Sequence, residues 1–169
     1  TKFCSSEFAA WMALQVNGPE LNHFVGEGDL VMGMMFGAKG MYCSHALMNP
    51  EFILNWYAMC ERGEWEEAIE IQWRISRWLV KDVYPLVAAG HLDPTLDKAF
   101  QEMVGWLKGS RVTRAPYIPL NDEEMAHLTE GSRERYPEIQ LLARERSTGA
   151  PPAGVFVVPA DSEVDSIQQ

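Results

Sequence analysis

Basic residues are scarce in this sequence: 14 Lys and Arg stand against 24 Asp and Glu, giving a net charge of -10 and a pI near 4.8. A chain of that sign repels phosphate backbones and anionic lipid heads, so nucleic acid and membrane surfaces are excluded as expected partners. Small molecules and other proteins remain. Cysteine is scarce as well. Cys4, Cys43 and Cys60 are an odd set without CxxC spacing, which argues against a disulfide framework or a zinc knuckle and predicts three free thiols in a reducing compartment. No apolar run approaches the ~20 residues that span a bilayer. The basic-then-apolar pattern of a signal peptide is also missing at the N-terminus, so a cytoplasmic location is expected.

A starter methionine is missing too. Thr1-Lys2-Phe3-Cys4 reads as the end of a short strand, and from there the order is strand, helix, strand, glycine-rich turn, strand, then helices. That is how the last part of a parallel β/α protein reads, and the expectation is a C-terminal portion of a larger enzyme. With 169 residues, 47% of them hydrophobic, the chain can build a real core, and disorder throughout is excluded.

Ser5-Ser6-Glu7 can cap a first helix whose apolar positions Phe8, Trp11, Met12 and Val16 predict one buried face, ending at Asn17-Gly18-Pro19. His23-Phe24-Val25 is a strand candidate closed by Gly26-Glu27-Gly28-Asp29. Leu30 to Phe36 is a short apolar segment that periodicity alone leaves open between helix and strand. Gly40 to Cys43 is the next strand candidate, and Asn49-Pro50-Glu51 is a cap with the favoured first-turn proline. The helix that follows should face inward with Phe52, Ile53, Trp56, Tyr57 and Cys60, and stop at Gly63. Trp65, Ala68, Ile69, Gln72, Ile75 and Leu79 trace a second amphipathic helix, with Glu64, Glu66, Glu67 and Glu70 solvated near its start, where the helix dipole favours negative charge. A third helix starts at Asp93-Pro94 and runs through Leu96, Phe100, Met103 and Leu107; Asn121 to Glu124 has the capping-box form for a fourth. From Ser147 to Gln169 the composition reads as a tail, mostly disordered.

Four stretches resemble the dihydrodipicolinate synthase and N-acetylneuraminate lyase superfamily of class I pyruvate aldolases. Gly37-Ala38-Lys39-Gly40-Met41-Tyr42-Cys43 followed by Pro50 is similar to the family's glycine turn and final barrel strand. Gly63-Glu64-Trp65-Glu66-Glu67-Ala68 resembles a family helix start. Lys98-Ala99 with Gly105, and then Arg114 to Leu120 with Glu123-Glu124, resemble its C-terminal segment. The resemblance runs from about Thr1 to Leu128. It implies an α/β fold, the C-terminal portion of a TIM (β/α)8 barrel followed by a C-terminal helical region: residues 1–48 as the last barrel strands and helices, 49–146 as the final barrel helix and helical region, 147–169 as the tail. It further implies a Schiff-base lyase acting on pyruvate or a related 2-keto acid, a homo-oligomer (dimer or tetramer), with no cofactor. Three departures bear on substrate identity: Cys43 replaces the usual serine, Tyr42 the usual isoleucine, and Leu47 a common asparagine. Gly105 to Lys108 leading to Arg114 to Tyr117 looks more like the hydratase-aldolase branch, which acts on aromatic benzylidenepyruvate-type substrates.

Under that resemblance Lys2, at the end of the sixth barrel strand, is the catalytic imine former. An imine-forming amine must be unprotonated, and burial in an apolar barrel lowers a lysine pKa. Read without the resemblance, Lys2 is a solvated terminal lysine. Gly28, in a loop at the catalytic face, is a candidate for binding a substrate carboxylate through backbone amides, against the reading of a plain turn. Tyr42 and Cys43 are substrate-binding candidates at the barrel mouth, against ordinary strand core. His23, His45, His91 and His127 share no ligand spacing, so no metal is expected. Trp56, Trp65, Trp73 and Trp78 read as helix packing or subunit interface, and Arg114 as a structural tie. The competing reading of the whole chain is a non-catalytic helical interaction or oligomerisation module, with burial of Lys2 as the discriminating feature.

Overall fold

The computed structural model describes residues 1–4, 7–105 and 107–138. The Ser5-Ser6 helix start, Trp106 and the 147–169 tail lie outside the described residues.

Three short extended stretches lie side by side and parallel. Lys2 bridges Phe24; the Phe3 amide donates to the Phe24 carbonyl (2.7 Å) and the Phe24 amide to the Thr1 carbonyl (2.8 Å). Strand β1 (Val25–Gly26) then pairs with β2 (Met41–Tyr42), with Val25 opposite Met41 and Gly26 opposite Tyr42. Parallel neighbours require a crossover. Helix α1 (Phe8–Asn17) makes the first and α2 (Leu30–Met35) the second. The apolar segment that periodicity left open is therefore helical because it must return the chain to the start of the next parallel strand.

Helix α1 does not bury the expected face. Trp11 alone is buried, against the Phe3 ring at 5.3 Å with its Nε1 donating to the Phe36 carbonyl, while Phe8, Met12 and Val16 are exposed. Of those three, Phe8 still packs edge-on against Phe36 at 4.8 Å.

The remaining described residues are mostly helical. Asn49 caps α3 (Pro50–Arg62) by accepting the Phe52 amide at 3.0 Å, and Gly63, with φ of 76°, stops it in the left-handed region that glycine enters without strain. Helix α4 (Trp65–Trp78) packs inward through Ala68, Ile71, Gln72, Ile75 and Trp78; Ile69, expected on that face, is exposed, as are Glu66, Glu67 and Glu70. The helix does not end at Leu79. It continues through a π turn (Leu79–Val83) into α5 (Tyr84–Ala88). This turn carries Asp82 into the interior, where the Arg135 guanidinium reaches it at 3.2 Å; Gly131 lies so close to the Asp82 carboxylate that a Cβ would collide with it. Helix α6 (Asp93–Val104) stops at Gly105, so Leu107 lies beyond it. Helix α7 (Asp122–Arg135) opens with the expected capping box of Asn121 and Glu124. Arg111, rather than Arg114, ties the intervening loop down: it binds Glu102 and Asp122, whereas Arg114 is exposed.

The main core runs through these helices around Trp56, Trp78, Phe100 and Tyr136, each contributing on the order of 1.5–3 kcal/mol or more by burial. Trp65 is half-buried and Trp73 exposed. No described helix is long and apolar enough to cross a membrane.

Candidate active site

Residues that follow parallel strands converge at the strands' C-terminal ends, the face on which β/α barrels build their sites. Here that face carries an open cleft of about 410 Å³, lined by Lys2 and Cys4 from the first stretch, Gly26 and Glu27 after β1, Tyr42 and Cys43 at the end of β2, and Asp93 and Asp97 from α6. Lys2, Tyr42 and Cys43 are thus brought together. Gly28 is not among the lining residues. The chain enters a tight 3₁₀ turn at Glu27, which leaves Gly26 at the cleft and Gly28 exposed beyond it.

The Lys2 side chain is exposed, not buried as an imine-forming amine is expected to be. Its backbone stretch is paired on one side only among the described residues. Its Nζ stands 5.3 Å from the centroid of the Tyr42 ring, within cation–π range. Tyr42 is 52% exposed and packs edge-on against Phe24 at 5.6 Å. Cys43 differs in kind: burial, reinforced by the Glu27 charge, pushes its thiol up to about 12, so it stays protonated at neutral pH and is no nucleophile.

Glu27 is the residue that sequence reasoning passed over. Burial pushes its carboxyl above the usual range; its own backbone hydrogen bond and the Lys2 charge pull it back, and Asp93 and Asp97 raise it further. Gln72 holds the turn in place, donating Nε2 to the Glu27 carbonyl at 3.0 Å and accepting the Val31 amide at 3.4 Å. A glutamine in register with Ala68 and Ile75 on an inward helix face was the sequence signal for that clamp. Behind Glu27 sits His45, 1% exposed in a 3₁₀ turn after β2, boxed by the rings of Trp78, Phe100 and Tyr136 at 5.2 to 6.1 Å. Burial pushes it down to about 3, so it is neutral. Its Nε2 is 3.8 Å from Glu27 Oε1.

A second cleft of about 440 Å³ opens on the other side of β2. It is lined mainly by apolar side chains, among them Phe24, Met41, Ile53 and Leu54, and it shares Tyr42 and Cys43 with the first. Among the described residues no group of His, Cys, Asp and Glu is arranged to hold a metal ion.

No family profile matches the chain, and no curated protein sequence does. Solved structures do. N-acetylneuraminate lyase from Fusobacterium nucleatum, in complex with pyruvate, superimposes with a TM-score of 0.62 at 17% identity, covering 80% of this chain and 44% of that one. A Sulfolobus 2-keto-3-deoxygluconate aldolase gives 0.68 at 13% identity, covering 83% and 46%. Dihydrodipicolinate synthase from Bacteroides thetaiotaomicron gives 0.62 at 18%, covering 79% and 45%. The chain therefore carries, over about four-fifths of its length, the fold of part of these TIM-barrel lyases and aldolases. It spans just under half the length of each of these three structures.

Proposed function

We propose that the full-length protein is a Schiff-base-forming carbon–carbon lyase of the dihydrodipicolinate synthase type, acting on pyruvate or a related 2-keto acid, with Lys2 as the imine former. The observation that carries this reading is the position of Lys2: its strand is the first of three parallel neighbours, and its amine shares a cleft at their C-terminal ends with Tyr42 and the Glu27 carboxyl. An imine withdraws electrons from the adjacent carbon and so stabilises the carbanion left when a carbon–carbon bond breaks. Tyr42 and Cys43 contact substrate in this reading, and backbone groups around Gly26 and Gly28 take its carboxylate. The enzyme is cytoplasmic and works as a homo-oligomer. Exposed apolar side chains at helical spacing along α4, the π turn and α5, namely Ile69, Trp73, Val80, Tyr84 and Val87, offer a surface for a second copy.

The apolar cleft beside Tyr42 favours a narrower version, a hydratase-aldolase on aromatic benzylidenepyruvate-type substrates, since an aromatic group placed there lies next to the keto-acid cleft. The exposure of Lys2 favours a different reading, a non-catalytic helical interaction module. One experiment separates them. Incubating the full-length protein with pyruvate and borohydride is expected to add one covalent adduct at Lys2, because hydride reduction freezes the imine; an adduct elsewhere, or none, refutes the lyase.

A further inference from the structure

Apolar side chains that a helix ordinarily buries stand exposed in one row. Ile69, Trp73, Val80, Tyr84 and Val87 recur at helical spacing along α4, the π turn and α5, over roughly 27 Å at a helical rise of about 1.5 Å per residue. Exposed charges flank them, also at helical spacing: Glu66 and Glu70 along the first half, Arg77 and Lys81 along the second. The face is thus apolar along its middle, acidic toward the start of α4 and basic toward the π turn. An apolar row rimmed by polar groups marks an interaction surface.

The chain itself continues from beside that face. Arg74, the neighbour of Trp73 on α4, pairs with the Glu138 carboxylate, and Asn49 Nδ2 donates to the Glu138 carbonyl at 2.8 Å. Residues 139–169 follow from that point. Beyond Ala143 their one run of large apolar side chains is Val155-Phe156-Val157-Val158, closed by Pro159. Arg144 and Arg146 come before the run, and Asp161, Glu163 and Asp165 come after it. The order of charge is complementary to the order on the helix face: base, apolar, acid in the segment against acid, apolar, base along α4 and the π turn. Laid along the face in the direction of α4, each charged end of the segment meets its opposite. The 17 residues from Glu138 to Val155 span at most roughly 56–61 Å, about twice the length of the apolar row, so every part of it is within reach.

We infer that Val155-Phe156-Val157-Val158 docks on the exposed row of its own chain, and that it competes there with the second copy that the proposed homo-oligomer places on the same face. Self-association then requires the segment to leave. Tethering favours the segment, because a short linker supplies it at an effective concentration in the millimolar range, whereas a second copy arrives only at its own concentration. Phe156 is the ring to set against Trp73 and Tyr84, since a few large aromatic side chains carry most of the energy of such contacts. The flanking charges are exposed, so they fix the direction of the segment and add little to its affinity. Only the competition rests on the homo-oligomer reading; the docking does not.

The test uses the full-length protein with p-benzoylphenylalanine in place of Phe156. Isotopically light and heavy preparations are mixed, left to exchange subunits and irradiated across a dilution series. Cross-links are expected from position 156 to residues 69–87, joining light to light and heavy to heavy. Trp73→Gln combined with Tyr84→Gln, both at exposed positions, should cut their yield roughly fivefold or more. Removing residues 147–169, or Phe156→Asp in the intact chain, should tighten self-association about tenfold or more in sedimentation. Pyruvate should still be trapped at Lys2 in Phe156→Asp as in the wild type, so a failure of the lyase reading shows separately. No cross-link, cross-links elsewhere on the chain, or cross-links joining light to heavy overturn the inference. Cross-links to residues 69–87 with self-association unchanged by both tail variants overturn the competition and take the second copy off this face, while the docked segment stands.

Discussion

Residues 1–47 and residues 49–138 are built by opposite rules. The second region holds most of the main core: the rings of Trp56, Trp78, Phe100 and Tyr136 are buried there, joined by Leu30, Val31 and His45 of the first region, and α3 and α7 begin at side-chain caps. The first region has a small core of Trp11, Val25 and Ala38, while Phe8, Met12, Val16, Leu21, Met32, Met35 and Phe36 stand exposed around it. Among the described residues β2 has no strand on its outer edge. The lesson is a division of labour. The cleft lies where the two regions meet, with Lys2, Glu27, Tyr42 and Cys43 carried by the open strand region, while Gln72, His45's aromatic box and the two aspartates of α6 come from the closed helical one.

The contrast is sharpened most by truncating one tryptophan in each region. Trp78→Ala is expected to cost the full-length protein about 5 kcal/mol and Trp11→Ala about 3 kcal/mol, because a cavity in a dense core relaxes less than one in a cluster of three residues. Denaturant unfolding of the two variants measures the gap, and equal losses would erase the distinction.

Acid provides the next lever. His45 is held at about 3 when folded against an ordinary 6.5, so the unfolded chain binds a proton that the folded one refuses. Its contribution is present above pH 6.5 and is lost as pH falls toward 3, at about 1.4 kcal/mol per pH unit, or about 2–3 kcal/mol over the first two units. Glu27 and Asp82 act in the opposite sense: both are raised by burial, so their contribution is present at acid pH and lost as pH rises through their folded pKa. The difference in melting temperature between wild type and His45→Phe isolates the histidine. As pH falls below 6.5 the wild type should lose stability relative to His45→Phe, and a pH-independent difference would contradict the neutral buried imidazole.

The smallest effect is expected at the boundary itself. Tyr42→Phe keeps the ring under the Lys2 amine and removes one exposed hydroxyl. The loss should be about 0.5–1.5 kcal/mol in transition-state binding, a two- to tenfold drop in kcat/KM, with the melting temperature unchanged. Unchanged kinetics with a lowered melting point would move Tyr42 into the core and take it out of the site.

Local chemistry was legible in the sequence and tertiary chemistry was not. Asn49-Pro50 and Asn121 to Glu124 foretold the starts of α3 and α7 because a cap is made within four residues. The parallel placement of Lys2, Phe24 and Met41 matched the strand order read from the chain. Leu30 to Met35 stayed open because six successive apolar residues have no period to read. The π turn was missed because Lys81-Asp82 breaks the apolar stripe, and the Arg135 and His127 partners on α7 explain why Asp82 goes inside. His45 looked like any lone histidine, since its box is assembled from three distant helical segments. Gly28 was favoured over Gly26 because the sequence shows two glycines two residues apart and does not show where the tight turn begins.

One contact sets a schedule. Asn49, which caps α3 with its oxygen, gives its side-chain nitrogen to the Glu138 carbonyl, 89 residues further along, and Glu138 also pairs with Arg74 while neighbouring Tyr136 closes the box around His45. At a synthesis rate of roughly 5–20 residues per second, those partners follow Asn49 out of the ribosome by roughly 5–20 s. The strands and Lys2 are complete long before the floor beneath them can close, so the nascent chain displays that amine well before the aromatic box under the cleft has formed.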